Sequence, residues 1–326
     1  MNVLVTGASG FVGRGLVPWL TAAGHGGWAT GRTPPDSLPA GWQGASRGEF
    51  LSGARSGAGI EAVVHLEVRQ HVPKPTAADL ESFELVNVGG TQDWLDWAAR
   101  QGVRRFVCVS SIKAVAPASS PRLENAPLET AANYGGSKAR AEDRVRRWAA
   151  ADSRRSASIL RPAPVYGPGN EANLAAFVRQ IRAGRPCLVG RGATCKSVVA
   201  RTNLAAAIGF ALGLAGNGCE TFNVSDRETF ALHDLAALIA KLAAAPPPRR
   251  VPAWLARCGA PLGDLLCALA GRDFPLTSSR LRAIEEVSIF PCDKLIAAGY
   301  VHSCSTQDAL REMLHWMKSA DDASAT

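Results

Sequence analysis

Tyr134 and Lys138 stand four positions apart in Tyr134-Gly135-Gly136-Ser137-Lys138. On a helix that spacing is about one turn, so both side chains share a face. A lysine ammonium beside a phenol favours the phenolate and lowers its pKa. A phenol tuned in this way can take a proton from an alcohol or return one to a ketone. Tyr-x-x-x-Lys alone is a common coincidence. It gains weight from Ser110-Ser111, which closes an apolar run, with Ser111 lying 23 residues before Tyr134. Strand ends in an open α/β sheet point into the ligand crevice, where Ser111 could bond the reacting oxygen and orient it against Tyr134. Taken alone, a serine at that place reads as a turn or helix cap.

A second constellation lies at the start of the chain, in Thr6-Gly7-Ala8-Ser9-Gly10-Phe11-Val12-Gly13. Gly7 permits a tight turn off a strand, Gly10 lets the backbone approach a pyrophosphate, and Gly13 lets the following helix pack against the sheet. The helix N-terminus adds free N–H groups and a partial positive charge. The next strand should end near the adenosine ribose of a dinucleotide. An acid there suits the 2′-hydroxyl of NAD, and a base suits the 2′-phosphate of NADP. Here the sequence reads Gly31-Arg32-Thr33, with no acid until Asp36. Arg32 tilts the choice toward NADP; a plain surface arginine is the other reading.

These residues need a scaffold that gathers strand ends and a helix start. The first half alternates apolar β-like runs with helix-like segments, the pattern of a parallel sheet covered on both faces by helices. Strands are expected at residues 3–6, 28–32, 62–66, 106–110 and 158–161. A helix at 11–23 should end at Gly24. A loop holding Pro73 and Pro75 precedes a helix at 86–101, with Gly102 as its C-cap residue. Residues 161–169 form a turn-rich segment that should leave the sheet. Beyond it helical stretches dominate, with a short strand at 221–224 and a helix at 232–245 broken by Pro246 to Pro248. We therefore expect an α/β chain. A doubly wound parallel sheet of Rossmann type spans residues 1–165, and a smaller, mostly helical substrate lobe spans 166–326, with some later strands returning to the main sheet. Residues 252–270 are apolar with few charges; they read as a helix packed on the lobe, or as a patch that touches a membrane or another subunit. Residues 319–326 read as a frayed tail.

At 47% apolar and 20% charged, the composition is that of a globular chain able to bury a core without staples. The formal net charge of +8 is spread in short basic runs. Without a long basic tract carrying interleaved aromatics, that excess reads as solvated surface, and no nucleic-acid partner is expected. The eight cysteines form no Cys-x-x-Cys pair, so no metal site is expected. No run of about 18 uncharged apolar residues occurs, so no transmembrane helix is expected. The N-terminus enters its motif without a basic leader, which points to the cytoplasm.

As a set these landmarks resemble the extended short-chain dehydrogenase/reductases, in the branch of NAD-dependent epimerases and dehydratases that act on nucleotide sugars. The resemblance is carried by residues 6–13, Val63-Val64-His65-Leu66, Asn87-Val88-Gly89-Gly90-Thr91, Val109-Ser110-Ser111-Ile112-Lys113, Tyr134-Gly135-Gly136-Ser137-Lys138, residues 161–169 and Asn203-Leu204. It is similar above all to UDP-sugar 4-epimerases and to the C4 reductases that make sugars such as UDP-N-acetylquinovosamine. The resemblance implies that Gly7, Ser9, Gly10, Phe11 and Val12 wrap the cofactor pyrophosphate and that Leu66 lies along the cofactor. It implies that Asn87 ties elements together near the site, that Pro162 abuts the nicotinamide, and that Lys138 also holds the nicotinamide ribose. Asn173 would meet the nucleotide's phosphates, and Lys196 falls where a phosphate-binding arginine is usual. A homodimer is implied in the same way.

Three departures stand out. Glu67 replaces a small residue near the cofactor, where a carboxylate would be repulsive unless it points away. Gly48-Glu49 replaces the usual Gly-Asp that contacts adenine. Ala200-Arg201-Thr202-Asn203 lacks the usual acid before Asn203. The implied chemistry is hydride transfer at C4 of a UDP-hexose, with Ser111, Tyr134 and Lys138 as the catalytic set and NAD(P) as cofactor. Either a 4-epimerase or a 4-keto reductase fits. A 4,6-dehydratase fits less well, because Ile112-Lys113, not an acidic pair, follows Ser111. A non-catalytic NAD(P)-binding regulatory or assembly protein on the same fold is the alternative.

Overall fold

Alternate residues of the central strands bury on opposite sides of one parallel sheet, which fixes both the sheet and the layers that cover it. The computed structural model describes residues 1–324 apart from 34, 36, 73, 120, 171–172 and 271–275. Seven strands form the main sheet: β1 (Asn2–Thr6), β2 (Gly26–Gly31), β3 (Trp42–Ser46), β4 (Ala62–His65), β5 (Arg105–Val109), β6 (Ser156–Pro162) and β7 (Gly218–Val224). Their order is β7-β6-β5-β4-β1-β2-β3, with every pair parallel. This is the doubly wound Rossmann order, extended by one strand, and it reverses between β1 and β4.

On one face Val3, Val5, Val64, Val107 and Leu160 pack against Leu16, Val17 and Leu20 of the first helix (Phe11–Ala22) and against the helix Arg201–Gly213. On the other face Leu4, Val63, Phe106 and Ile159 meet Trp94 and Trp97 of the helix Gly90–Arg100 and Val145 and Trp148 of the helix Tyr134–Ala150. The C-terminal region has its own core, built from Tyr166, Val178, Leu235, Ile239, Leu310 and Met313. It is tied to the sheet by Asp226, which is 2% exposed and accepts from Tyr166 Oη (2.8 Å), the Ala200 N–H (3.0 Å) and Asn203 Nδ2 (2.8 Å). The acid missing before Asn203 in sequence thus arrives from the loop after β7.

Several elements differ from expectation. β2 starts at Gly26 because Gly27 lets β1 come close: a Cβ there would lie 2.2 Å from the Val3 carbonyl oxygen. β3 and the helix Arg47–Leu51 were not expected. The helix expected at 86–101 begins earlier, at Ala77–Phe83, with Thr76 and Asp79 forming a capping box, and passes through a π-helical turn at Glu84–Gly89. Residues 319–324 are not frayed; they continue the helix Thr306–Ser324, and residues 325–326 lie outside the described set. The short strand expected at 221–224 is the C-terminal half of β7, which returns to the main sheet from beyond residue 165. The expected helix at 252–270 is present as Ala253–Ala270, but among its described residues those buried against the protein are small. Of the expected 73–75 loop, Pro73 lies outside the described residues.

Candidate active site

Ser111 leaves the carboxyl end of β5 in extended conformation and caps a short 3-10 turn, Ile112–Ala114, by accepting from the Lys113 N–H at 3.1 Å. The same hydroxyl lies near enough to the Tyr134 phenol to draw its pKa down. The cap reading and the catalytic reading of Ser111 therefore describe one side chain. Tyr134 opens its helix behind Asn133, whose Oδ1 accepts from the Gly136 N–H at 2.9 Å. Lys138, one turn on, is 2% exposed and donates from Nζ to the Val109 carbonyl at 3.0 Å. The structure thus brings Ser111, Tyr134 and Lys138 together at the carboxyl edge of β5.

Burial sets the charge state of these groups. It pushes the Tyr134 phenol up to about 12, and Ser111 draws it partly back. This departs from the lowered phenol that spacing alone suggests, because desolvation is the largest cause acting on it. Burial likewise lowers the Lys138 amine, while Cys108 and Glu142 support its charged form.

Two glycines make the approach possible. A Cβ on Gly135 would lie 2.2 Å from the Lys113 carbonyl oxygen, and one on Gly136 would lie 1.9 Å from that of Ala131. No side chain fits at either place, so the helix start seats directly on the Ser111 turn. Gly135→Ala should displace Tyr134 and lower turnover by roughly a hundredfold, since about 1 Å of misplacement costs that much. Steady-state kinetics beside a denaturation curve would separate this from unfolding; unchanged turnover would show that the close seat is unnecessary.

Beneath the site lies a buried network that the sequence reading missed. Glu142 and Arg161 are almost fully buried and meet in a two-pronged pair, Nε to Oε1 at 2.9 Å and Nη2 to Oε2 at 2.7 Å. Ser110 Oγ donates to the same carboxylate at 2.7 Å. Glu142 lies two turns beyond Tyr134 on the same helix face, so the network bolts that helix to the ends of β5 and β6. The sequence signal was a charged residue in an apolar strand, Arg161, and an acid at Lys138 plus four. Asn87, in the π-helical turn, is fully buried; its Nδ2 donates to Ser137 Oγ at 2.9 Å and its Oδ1 accepts from the Arg69 N–H at 2.8 Å. It joins the loop after β4 to the Tyr134 helix.

Tyr134 faces a cleft of about 270 Å³ whose walls include His71, Phe83, Lys113, Arg122 and Glu286. The His71 and Phe83 rings stand edge-on to the phenol, with centroids 5.8 and 5.9 Å away. The glycine turn lies at the end of β1, next to β4 in the sheet. Gly7 has a φ of +67°, and a Cβ on it would lie 2.9 Å from the Glu67 nitrogen. A Cβ on Gly13 would lie 2.5 Å from Ala8 Cα. The helix that starts at Phe11 and Val12 has no side-chain cap from Gly10 and no acid in its first turn. A Cβ on Gly31, at the end of β2, would lie 2.8 Å from Ser9 Oγ, and Arg32 is exposed just beyond. Leu66 follows β4, with its N–H bonded to Thr6. Pro162 ends β6.

Glu67 turns away from the turn: one carboxylate oxygen accepts from Trp94 Nε1 at 2.9 Å and the other pairs with Arg47 Nε at 3.0 Å. Glu49 is held by the Ser46 cap (2.7 Å to its N–H) and by Arg55 (2.9 Å). Lys196 Nζ donates to the carbonyls of Ala283, at 2.8 Å, and Glu286, closing the end of the helix Ser278–Glu285. Asn173 begins the helix Asn173–Arg182, and its side chain lies outside the described residues, as do Glu171 and Ala172.

Comparison with known proteins gives this geometry its context. Residues 3–225 match the model of the NAD dependent epimerase/dehydratase family. The chain belongs to the NAD-dependent epimerase/dehydratase family. It is 28% identical to the N-acetyl-alpha-D-glucosaminyl-diphospho-ditrans,octacis-undecaprenol 4-epimerase of Escherichia coli O157:H7, over 79% of this chain and 78% of that one. It is 30% identical to a UDP-glucose 4-epimerase of Mycolicibacterium smegmatis, over 76% of this chain and 84% of that one. The solved structure of MoeE5 in complex with UDP-glucose and NAD has the same fold, with a TM-score of 0.74 at 20% identity, covering 98% of this chain and 99% of that one.

As a member of this family the chain should seat a dinucleotide, and its own residues fit one. The cradle at Gly7, Gly10 and Gly13 is one that Cβ atoms would fill, and the uncapped helix start suits an anion. Glu67 keeps its charge off that seat. Ser111 follows the carboxyl end of β5 as the cradle follows that of β1, and the two strands run parallel in one sheet. Among the described residues, no helix is long and apolar enough to cross a membrane.

Proposed function

We propose that this family member transfers hydride at C4 of a UDP-linked hexose, as a 4-epimerase or a 4-keto reductase, using NAD(P). The observation that carries this reading is the Ser111, Tyr134 and Lys138 set, gathered at one strand end, with Tyr134 lining a cleft. When bound, the nicotinamide supplies the acceptor and donor of hydride. The protein's own part is proton handling and positioning. Ser111 holds the C4 oxygen against Tyr134; the Tyr134 oxygen takes the hydroxyl proton as the C4 carbon is oxidised and gives it back on reduction. The Lys138 ammonium supports the phenolate and holds the ribose, and Asn87 keeps the helix in place through Ser137.

In this reading Gly7, Ser9, Gly10, Phe11 and Val12 hold the pyrophosphate, Leu66 and Pro162 flank the cofactor, and Asn173 meets the substrate phosphates. Glu49 reaches adenine, and Lys196 reaches a phosphate, only by releasing the partners they now hold. Residues 1–165 carry the cofactor side and 166–326 the substrate side, in a homodimer. The names of the relatives, two of them 4-epimerases, support epimerisation; exposed Arg32 supports NADP and reduction.

The deciding experiment denatures purified protein and identifies the nucleotide released, then follows UDP-glucose by NMR. Retained NAD with interconversion at C4 supports an epimerase. Nucleotide-free protein that takes up NADPH and reduces a 4-keto sugar supports the reductase. Failure to bind either dinucleotide would overturn the proposal.

A further inference from the structure

Ten large apolar side chains stand exposed among the described residues, and five of them share one helix: Trp254, Leu255, Leu262, Leu265 and Leu266. At 3.6 residues per turn these five fall on one side of the helix Ala253–Ala270, and the buried Ala256, Ala260 and Gly263 fall on the other. Among the described residues, the small side meets the protein through a minor cluster with Leu281, Val189, Val251 and Leu276. The polarity of this helix is inverted. A globular chain buries its bulky stripe and shows its small or polar one, and here Trp254 is 68% exposed and Leu262 58%. An apolar face this concentrated marks an interaction surface.

The charges around it indicate what it meets. Exposed Arg249 and Arg250 lead into the helix, and exposed Arg280 and Arg282 lie on the helix packed beside it. The nearby acids are engaged: Glu285 with Arg257 at 3.0 Å, Asp264 with the Ser278 N–H at 3.3 Å, Glu286 with Arg122 at 3.6 Å. By formal charge the exposed Arg249, Arg250, Arg280 and Arg282, with Arg257, outnumber Asp264 and Glu285 around the helix, so its net charge is basic.

We infer that the helix Ala253–Ala270 lies flat on an anionic lipid bilayer, with Trp254 and the four leucines in the acyl boundary and the flanking arginines among the headgroups. The position of the helix gives the docking a purpose. Asp264 lies within electrostatic reach of Lys74, and Lys74 sits in sequence between Val72 and Pro75, which line the Tyr134 cleft. Glu286, another wall of that cleft, directly follows the helix packed on the docking helix. The cleft wall thus comes near the flank of the helix that carries Asp264. An amphiphile with an oxidisable sugar alcohol in its headgroup could present that group to Tyr134 while its tail stays in the bilayer; this last step rests on the hydride-transfer reading above.

The test is co-sedimentation of the full chain with vesicles of phosphatidylglycerol and phosphatidylcholine, and with phosphatidylcholine alone, without cofactor or substrate. Wild type should sediment with the anionic vesicles and far less with the neutral ones. Leu262→Glu with Leu265→Glu should cut binding at least about tenfold, and Arg249→Glu with Arg250→Glu should do so most at low salt. Both leucines are exposed, so circular dichroism should show the fold intact. Absence of vesicle binding, or equal binding by the leucine variant, would overturn the inference. So would a wild-type dimer without vesicle affinity that the leucine variant splits, because a second copy would then cover this face. Binding is measured without turnover, so its failure leaves the hydride-transfer reading standing, and the reverse also holds.

Discussion

Tyr134→Phe should lower turnover by roughly two to four orders of magnitude and leave dinucleotide affinity unchanged. Phenylalanine keeps the ring that His71 and Phe83 pack against, so the cleft retains its shape. What disappears is the oxygen whose pKa Ser111 lowers and through which, in this reading, the substrate proton passes. Single-turnover kinetics beside a fluorescence titration of the dinucleotide would separate the two quantities. Normal turnover by the variant would remove Tyr134 from the acid/base role. Because burial lifts the phenol to about 12, the free protein holds it protonated at neutral pH. Oxidation of an alcohol, which needs the phenolate, should therefore speed up with rising pH in wild type and lose that dependence in the variant.

Glu142→Gln should destabilise the protein by about 3–5 kcal/mol, the range for removing one partner of a buried ion pair. The amide matches the shape but leaves the Arg161 guanidinium buried without its counter-charge. Urea denaturation followed by circular dichroism would measure the loss. Replacing both members with apolar residues, Glu142→Leu with Arg161→Met, should cost less than the sum of the single changes, because no lone charge remains. The pH dependence follows in sign. Burial pushes the Glu142 carboxyl up, but its bonds to Arg161 and Ser110 outweigh that and hold it below its ordinary value. Its contribution is complete above the unfolded carboxyl value of about 4.3 and is lost as pH falls below it. Wild type should therefore lose stability on acidification more steeply than Glu142→Gln; parallel curves would show that the carboxyl does not titrate differently on folding.

The glycine turn and the Tyr-x-x-x-Lys helix were legible because their meaning is local: a strand, a turn and one helical turn suffice to read them. Central strands were legible because burial on both faces writes continuous apolar runs such as Ala62-Val63-Val64. β3 was not, since Trp42-Gln43-Gly44-Ala45-Ser46 sits at the sheet edge and buries only Trp42 and Ala45. Gly26 and Gly27 hid the start of β2, because glycine has no side chain to show a pattern. The Glu142–Arg161 pair spans 19 residues and two elements; each charge stands out in its own element, but nothing local matches one to the other. The phenol's charge state was misjudged for a related reason. Spacing gives the distance between Tyr134 and Lys138, whereas burial, which decides the pKa here, is a property of the whole fold.

The last seat in the main sheet is filled late. Until Gly218–Val224 arrives, Ser156–Pro162 shows a full row of unpaired backbone groups. The ribosome must add more than fifty residues between these two strands, so the nascent first half carries an open edge while the second half is made. The strand Ser156–Pro162 also carries Arg161, one arm of the buried pair, near its end. Any partner that captures the growing chain has that interval in which to cap the edge.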